Sequence, residues 1–201
     1  MNDGKMESSN FVSHFQQSKI DFRMKKIVLS FGLIAGAIVT AMMIVATTMM
    51  YSNPEFKGND LVGYATMLIA FAFIFVGVKS YRDKYNGGVI SFGKAFKIGL
   101  YITLVASTIY VAVWLIEYYL FVPDFMEVYT KCAMKRAADS GATAAQLQEQ
   151  ARSMARYSEW YKNPLFVILL TYSEIVPVGL VVALISALIL KRKAKPAVAR
   201  S

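Results

Sequence analysis

Histidine and cysteine are almost missing from this sequence, each occurring once, as His14 and Cys132. A single cysteine excludes an intrachain disulfide, and a single histidine excludes a multi-histidine zinc site. Both are expected as solvated or lightly packed side chains. Acids are sparse as well, 13 Asp and Glu against 22 Lys and Arg. Charge of either sign also disappears over long distances. The blocks Ile27 to Met50, Leu61 to Val78, Ile98 to Ile116 and Leu165 to Leu190 hold almost none. Each is about 18 to 26 residues, enough helix at about 1.5 Å per residue to cross a hydrocarbon core of about 30 Å. Hydrophobic residues make up 56% of the chain and mean hydropathy is +0.44, both high for a soluble domain. The expected fold is all-α, a four-helix transmembrane bundle with membrane helices at about 26–51, 60–81, 92–121 and 164–191. A cleaved secretory signal is the rival for the first block. Its apolar run is about twice the usual signal length, and no small-residue cleavage site leads into a soluble domain, so a retained helix is expected.

The net charge of +9 suggests nucleic acid until its location is considered. Lys19, Arg23, Lys25 and Lys26 precede the first block, and Lys79, Arg82, Lys84, Lys94 and Lys97 flank the second and third. Lys191, Arg192, Lys193, Lys195 and Arg200 follow the fourth, whereas "SNPEFKGND", between the first two blocks, has one lysine against two acids. This distribution predicts cytoplasmic termini and a cytoplasmic middle loop in an inner membrane. The positive charge then orients the protein and faces anionic lipid. No nucleic-acid partner is expected. Residues 1–23 form an N-terminal arm expected to lack order, although Phe11, Phe15 and Phe22 would share one side of an interfacial helix. Residues 194–201 are expected as a basic cytoplasmic tail.

Gly87-Gly88 signals a turn, and Ser91 is placed to cap the third helix. The stretch "GVISFGKA" (Gly88 to Ala95) imitates a phosphate loop, GxxxxGK[ST], but Ala95 lacks the magnesium-binding hydroxyl and no strand precedes it. No nucleotide and no other cofactor is expected. Between Phe121 and Lys162, the residues Phe125, Val128, Tyr129 and Cys132 follow one helical face. Gly141 interrupts the pattern, and Thr143 with Gln146 forms a capping box that starts a second helix. Leu147, Ala151, Met154, Ala155 and Tyr161 continue an apolar stripe, and Asn163-Pro164 caps the last membrane helix. Residues of about 124–160 are therefore expected as an extracytoplasmic amphipathic helical hairpin between the third and fourth membrane helices.

Gly87-Gly88 with "ISFGKAFKIG", Trp114, "PDF" at Pro123 to Phe125, Asn163-Pro164 and "EIVPVGLVVALISALILKRK" occur in a characteristic order. In this the chain resembles a bacterial membrane family, domain of unknown function 4199, over roughly Met24 to Lys193. The resemblance implies a four-helix bacterial membrane protein and carries no assigned activity.

Glu174 is the foremost candidate for chemistry. It lies about 13 Å along the fourth helix from Leu165, at a depth where a charged carboxylate costs several kcal/mol. A neutral, hydrogen-bonded or wet acid facing Ser107 or Thr108 is expected there. Pro177 lacks an N–H, so it frees the Ser173 carbonyl and marks a helix kink. Thr171 lies on the side of Glu174 one turn before, and Thr40, Ser107 and Thr108 occupy the middles of the first and third helices. Together they form a candidate intramembrane polar site. It is either interhelical hydrogen-bond glue, at roughly 1 kcal/mol per contact, or a proton or ligand site. Glu117 is a candidate interfacial acid within reach of Lys162. Gly99, Thr103 and Ser107 form a small-residue packing row, and Trp114, Tyr118, Tyr119 and Trp160 an aromatic belt.

No nucleophile–base pair or metal-ligand set stands out, so neither an enzyme nor a metal site is expected. The expectation is a small bacterial inner-membrane protein acting as a structural, interaction or accessory component. Its partners would be membrane lipid and either a second copy or another membrane protein. The alternative is a small proton-linked carrier or transporter subunit using Glu174. The topology is directly testable. Reporter fusions at Ala142 and Ser201 should report opposite sides of the membrane, and matching sides would rule the arrangement out.

Overall fold

The computed structural model describes the backbone of residues 3–53 and 60–193, with side chains from Phe22 to Asn53 and from Leu61 to Lys193. The expected basic tail, residues 194–201, and the side chains of Phe11, His14 and Phe15 lie outside that range. The chain forms α1 (Asp3–Ser52), α2 (Asp60–Tyr85), α3 (Phe92–Ile116), α4 (Phe125–Asp139), α5 (Ala144–Tyr161) and α6 (Pro164–Leu190). Four helical segments are long and apolar enough to cross a membrane: Phe22–Ser52, Leu61–Tyr85, Phe92–Phe121 and Pro164–Leu190.

Two boundaries differ from those expected. α1 is 50 residues long and runs back to Asp3, through the segment expected to lack order. No proline precedes Pro54, and Gly4 is the only glycine before Gly32. Once the apolar part has nucleated a helix, each further residue gains a hydrogen bond at little cost. The third span, expected as one continuous α-helix, changes at its end into a π-helical turn, Glu117–Phe121. There the Val122 N–H reaches five residues back to the Glu117 carbonyl at 3.0 Å.

α3 is the hub, packing most extensively on α6 and α1, with α2 against α1 and α6. Small residues set the spacing. A Cβ on Gly32 would lie 2.7 Å from that of Val105, and one on Gly36 3.1 Å from that of Ile109. On the opposite face of α3, a Cβ on Gly99 would meet that of Ala183 at 2.8 Å, and one on Gly179 would collide with Thr103. These backbones approach as closely as glycine allows. The same contacts fix register: α1 runs parallel to α3, and α6 antiparallel to it. The expected Gly99-Thr103-Ser107 row is this packing face, and all three residues are buried.

At one end of the bundle, Gly87 and Gly88 turn the chain with φ of 62° and 76°, values that favour glycine. Ser91 caps α3 as expected, accepting from the Lys94 N–H at 3.4 Å. An isolated bridge joins this loop to the chain leaving α6, Ile90 N–H to Arg192 O at 3.0 Å and Arg192 N–H to Ile90 O at 2.9 Å. Arg82 adds a bond to the Leu190 carbonyl at 3.3 Å, satisfying a helix C-terminus.

At the other end, α4 and α5 pack on each other. Gly141, at φ 80°, ends α4, and the Thr143–Gln146 capping box starts α5 with bonds of 2.8 and 3.3 Å. Asn163 then caps α6 through the Leu165 N–H at 3.0 Å, with Pro164 in the first turn. α6 continues as helix through Pro177.

The Gly179–Thr103 contact is testable. Gly179→Ala should destabilise the bundle by about 1–3 kcal/mol through overpacking, read as a shifted unfolding midpoint in detergent. Adding Thr103→Ser, which removes the colliding methyl, should recover part of the loss.

Candidate functional site

The buried stripe of α6 is Val167, Thr171, Ile175, Gly179 and Ala183, spaced by four. Glu174 lies one position off it, about 100° round the helix. Its side chain is therefore exposed, and among the described residues no hydrogen bond holds it. This corrects the expectation that it faces Ser107 or Thr108. The physical reason is the close approach of α3 and α6 at Gly179, which leaves room only for the stripe itself.

The polar residues expected around Glu174 separate into three groups. Thr171 is buried and donates to the Val167 carbonyl at 2.7 Å, within its own helix. Thr108 sits on an exposed face and donates to the Leu104 carbonyl at 2.8 Å, so its oxygen remains to accept from the Tyr172 hydroxyl at 3.0 Å. That bond, unforeseen from the sequence, links α3 to α6. Thr40 and Ser107 are buried, and their hydroxyls have no hydrogen-bond partner among the described residues. Interhelical glue through Thr40 or Ser107 is thus not observed.

Tyrosine supplies the missing neighbours. Tyr110, one turn beyond Ser107 on α3, lies within electrostatic range of both Glu174 and Glu117. Tyr161, at the end of α5, is also close to Glu174; burial first, and then that carboxylate, push its phenol above the ordinary tyrosine range. Neither tyrosine was singled out for this role by its position, because an aromatic in an apolar run resembles packing. The available signal was the spacing of Tyr110 from Ser107.

Glu117 opens the π-helical turn and is half-buried. Its expected partner Lys162 instead bonds Glu159 at 2.7 Å. Thr47 on α1 is the hydroxyl within hydrogen-bonding reach of Glu117, and one carboxylate oxygen, Oε2, is enclosed with no hydrogen-bond partner among the described residues. The parallel packing of α1 on α3 accounts for this, since Thr47 lies about three turns beyond Gly36 and Glu117 about two turns beyond Ile109. Two acids, two tyrosines and buried threonine and serine hydroxyls therefore occupy the half of the bundle nearer α4 and α5.

Aromatic packing closes that end. Trp114 meets Phe125 edge-on at 4.7 Å between centroids, and Tyr118 contacts both Phe125, at 6.3 Å, and Tyr161, at 5.5 Å. Of the expected belt, Tyr119 and Trp160 stay exposed, whereas Trp114 is buried. Tyr51 of α1 donates to Asp124 at 2.8 Å, tying the membrane helix to the start of α4. Among the described residues no three of His, Cys, Asp and Glu come together as metal ligands would. Cys132 is a free, half-buried thiol.

Four membrane-length apolar helices joined in one bundle define a helical, multi-pass membrane protein. The chain belongs to the family described as Protein of unknown function (DUF4199), which matches residues 30–192. No curated protein and no solved structure gives a significant match.

Proposed function

We propose that the chain is a structural, interaction or accessory component of a bacterial inner-membrane assembly, and that Glu174 takes part in its contact with a neighbouring chain. The observation that carries this reading is the exposed carboxylate on α6, without a hydrogen bond among the described residues. A carboxylate in hydrocarbon that no hydrogen bond holds costs several kcal/mol, even with phenols nearby. A donor from a second copy or from another membrane protein removes that cost. The basic residues gathered at one end support cytoplasmic termini, with α4 and α5 on the outer side.

Tyr110 favours a second reading, in which the chain is a subunit of a proton-linked carrier. A phenol within electrostatic range of both Glu117 and Glu174 supplies a hydroxyl suited to pass a proton from one acid to the other. Four helices are few for an independent carrier, so this role also calls for assembly with further chains. Neither reading requires an enzymatic reaction.

Two substitutions of Glu174 separate the readings. In the assembly reading, Glu174→Gln keeps hydrogen bonding and the native complex, whereas Glu174→Leu weakens association about fivefold, the worth of one interhelical hydrogen bond. Complex size in mild detergent measures this. In the carrier reading, Glu174→Gln leaves the complex intact but abolishes proton movement in liposomes. A Glu174→Leu protein that assembles and transports like the parent would overturn both.

A further inference from the structure

The end of the bundle opposite α4 and α5 concentrates cations from every membrane helix. Arg23, Lys25 and Lys26 come from α1, Lys79, Arg82 and Lys84 from α2, and Lys94 and Lys97 from α3, while Lys191, Arg192 and Lys193 follow α6. Asp83 is the one acid with a described side chain at this end, and Arg82 holds it at 2.7 Å. Arg82 is thus committed to Asp83 and to the Leu190 carbonyl, and so belongs to the scaffold. Arg23 and Lys94 differ. Among the described residues no carboxylate pairs with either, yet neither side chain is loose. The Arg23 guanidinium lies over the Tyr85 ring, 5.3 Å from its centroid, and the Lys94 ammonium lies over the Tyr81 ring at 5.1 Å. The two rings are themselves in contact, with centroids 6.4 Å apart. Arg23 and Lys94 therefore stand on the two members of one tyrosine pair; Lys94 also donates to Asn86 Oδ1 at 3.5 Å, and among the described residues no carboxylate neutralises either charge.

The apolar spans end at this level, so the cations fall in the headgroup layer of the bilayer. Tyrosine rings with long basic side chains suit that layer, since each has an apolar body and a polar tip. The adjacent first turn of α3 is open; a Cβ on Gly93 would meet nothing within 4 Å.

We propose that Arg23 and Lys94, seated on Tyr85 and Tyr81 between α1, α2 and α3, form a binding surface for the phosphate of an anionic phospholipid of the surrounding bilayer. Two cations held on aromatic faces, with no carboxylate paired to either among the described residues, complement an anionic phosphodiester headgroup. Their aromatic supports restrict the side chains beforehand, so less freedom is lost on binding. The guanidinium supplies a planar donor fork and the ammonium a point charge, the two usual means of holding a phosphate. The site does not depend on which face of the membrane this end occupies, nor on the role of Glu174.

The test uses the full chain in bilayers of equal phosphatidylcholine and phosphatidylglycerol, with retained lipid read by native mass spectrometry after mild extraction. The parent protein should retain phosphatidylglycerol preferentially. The pair Arg23→Gln and Lys94→Gln should lose about fivefold in that preference for each cation removed, whereas Lys25→Gln with Lys193→Gln, both exposed, should keep it. Should the paired variant not fold, Lys94→Gln alone should show the single fivefold loss. Equal losses from the two pairs would mean diffuse surface charge, and an absent preference in the parent would mean no site. Release of phosphatidylglycerol by millimolar inorganic phosphate would identify free phosphate as the ligand. Any of these three results overturns the proposal.

Discussion

The close approach of α3 to its two neighbours is the contact on which the rest of the bundle depends. Glycines bring the backbones together on both sides of it, Gly32 and Gly36 of α1 on one face, and Gly99 with Gly179 of α6 on the other. Hydrocarbon offers no hydrophobic drive between apolar helices, so dispersion across closely fitted surfaces holds them. Small residues spaced by four are the sequence's means of making such surfaces. They also fix how far each helix can slide or rotate, and so determine where every polar side chain ends.

Those constraints explain an otherwise odd distribution of polar groups. Thr103 and Thr171 bond to carbonyls of their own helices at 3.0 and 2.7 Å and can be buried without interhelical partners. Thr40 and Ser107 are enclosed by the same packing, yet their hydroxyls reach no partner among the described residues. Glu174 cannot enter the contact at all. It lies one position off the buried stripe of α6, within electrostatic range of the Tyr110 and Tyr161 phenols. The tight contact and the exposed acid are two sides of one packing solution.

The two ends of the bundle are stabilised by different chemistry. Near α4 and α5, aromatic rings pack on one another, and Tyr51 bonds to Asp124 where the chain leaves the membrane. At the opposite end, main-chain bonds between Ile90 and Arg192 secure the exit of α6, and cations rest on tyrosine faces. The first arrangement buries Trp114 among its rings while Tyr119 and Trp160 stay exposed. The second leaves its cations on ring faces, where they favour an anionic neighbour.

Much of the architecture was legible from residues alone. Uninterrupted apolar length determined the four spans, because a bilayer admits little else. Local chemistry determined the Ser91 cap, the break at Gly141, the Thr143–Gln146 box and the Asn163-Pro164 start, each a bond or dihedral formed within a few residues. The backward extension of α1 to Asp3 was missed because low local apolarity is a poor guide to a helix propagated from a neighbouring span. The site was legible only in part. Glu174 announces itself by its cost in an apolar helix, but its direction depends on the rotation of α6, and that rotation is set by glycine contacts with α3. Thr47 meets Glu117, and Tyr172 meets Thr108, through helix register. Register arises from packing between distant segments, so the sequence determined which polar residues the bundle holds, and tertiary structure decided which of them meet.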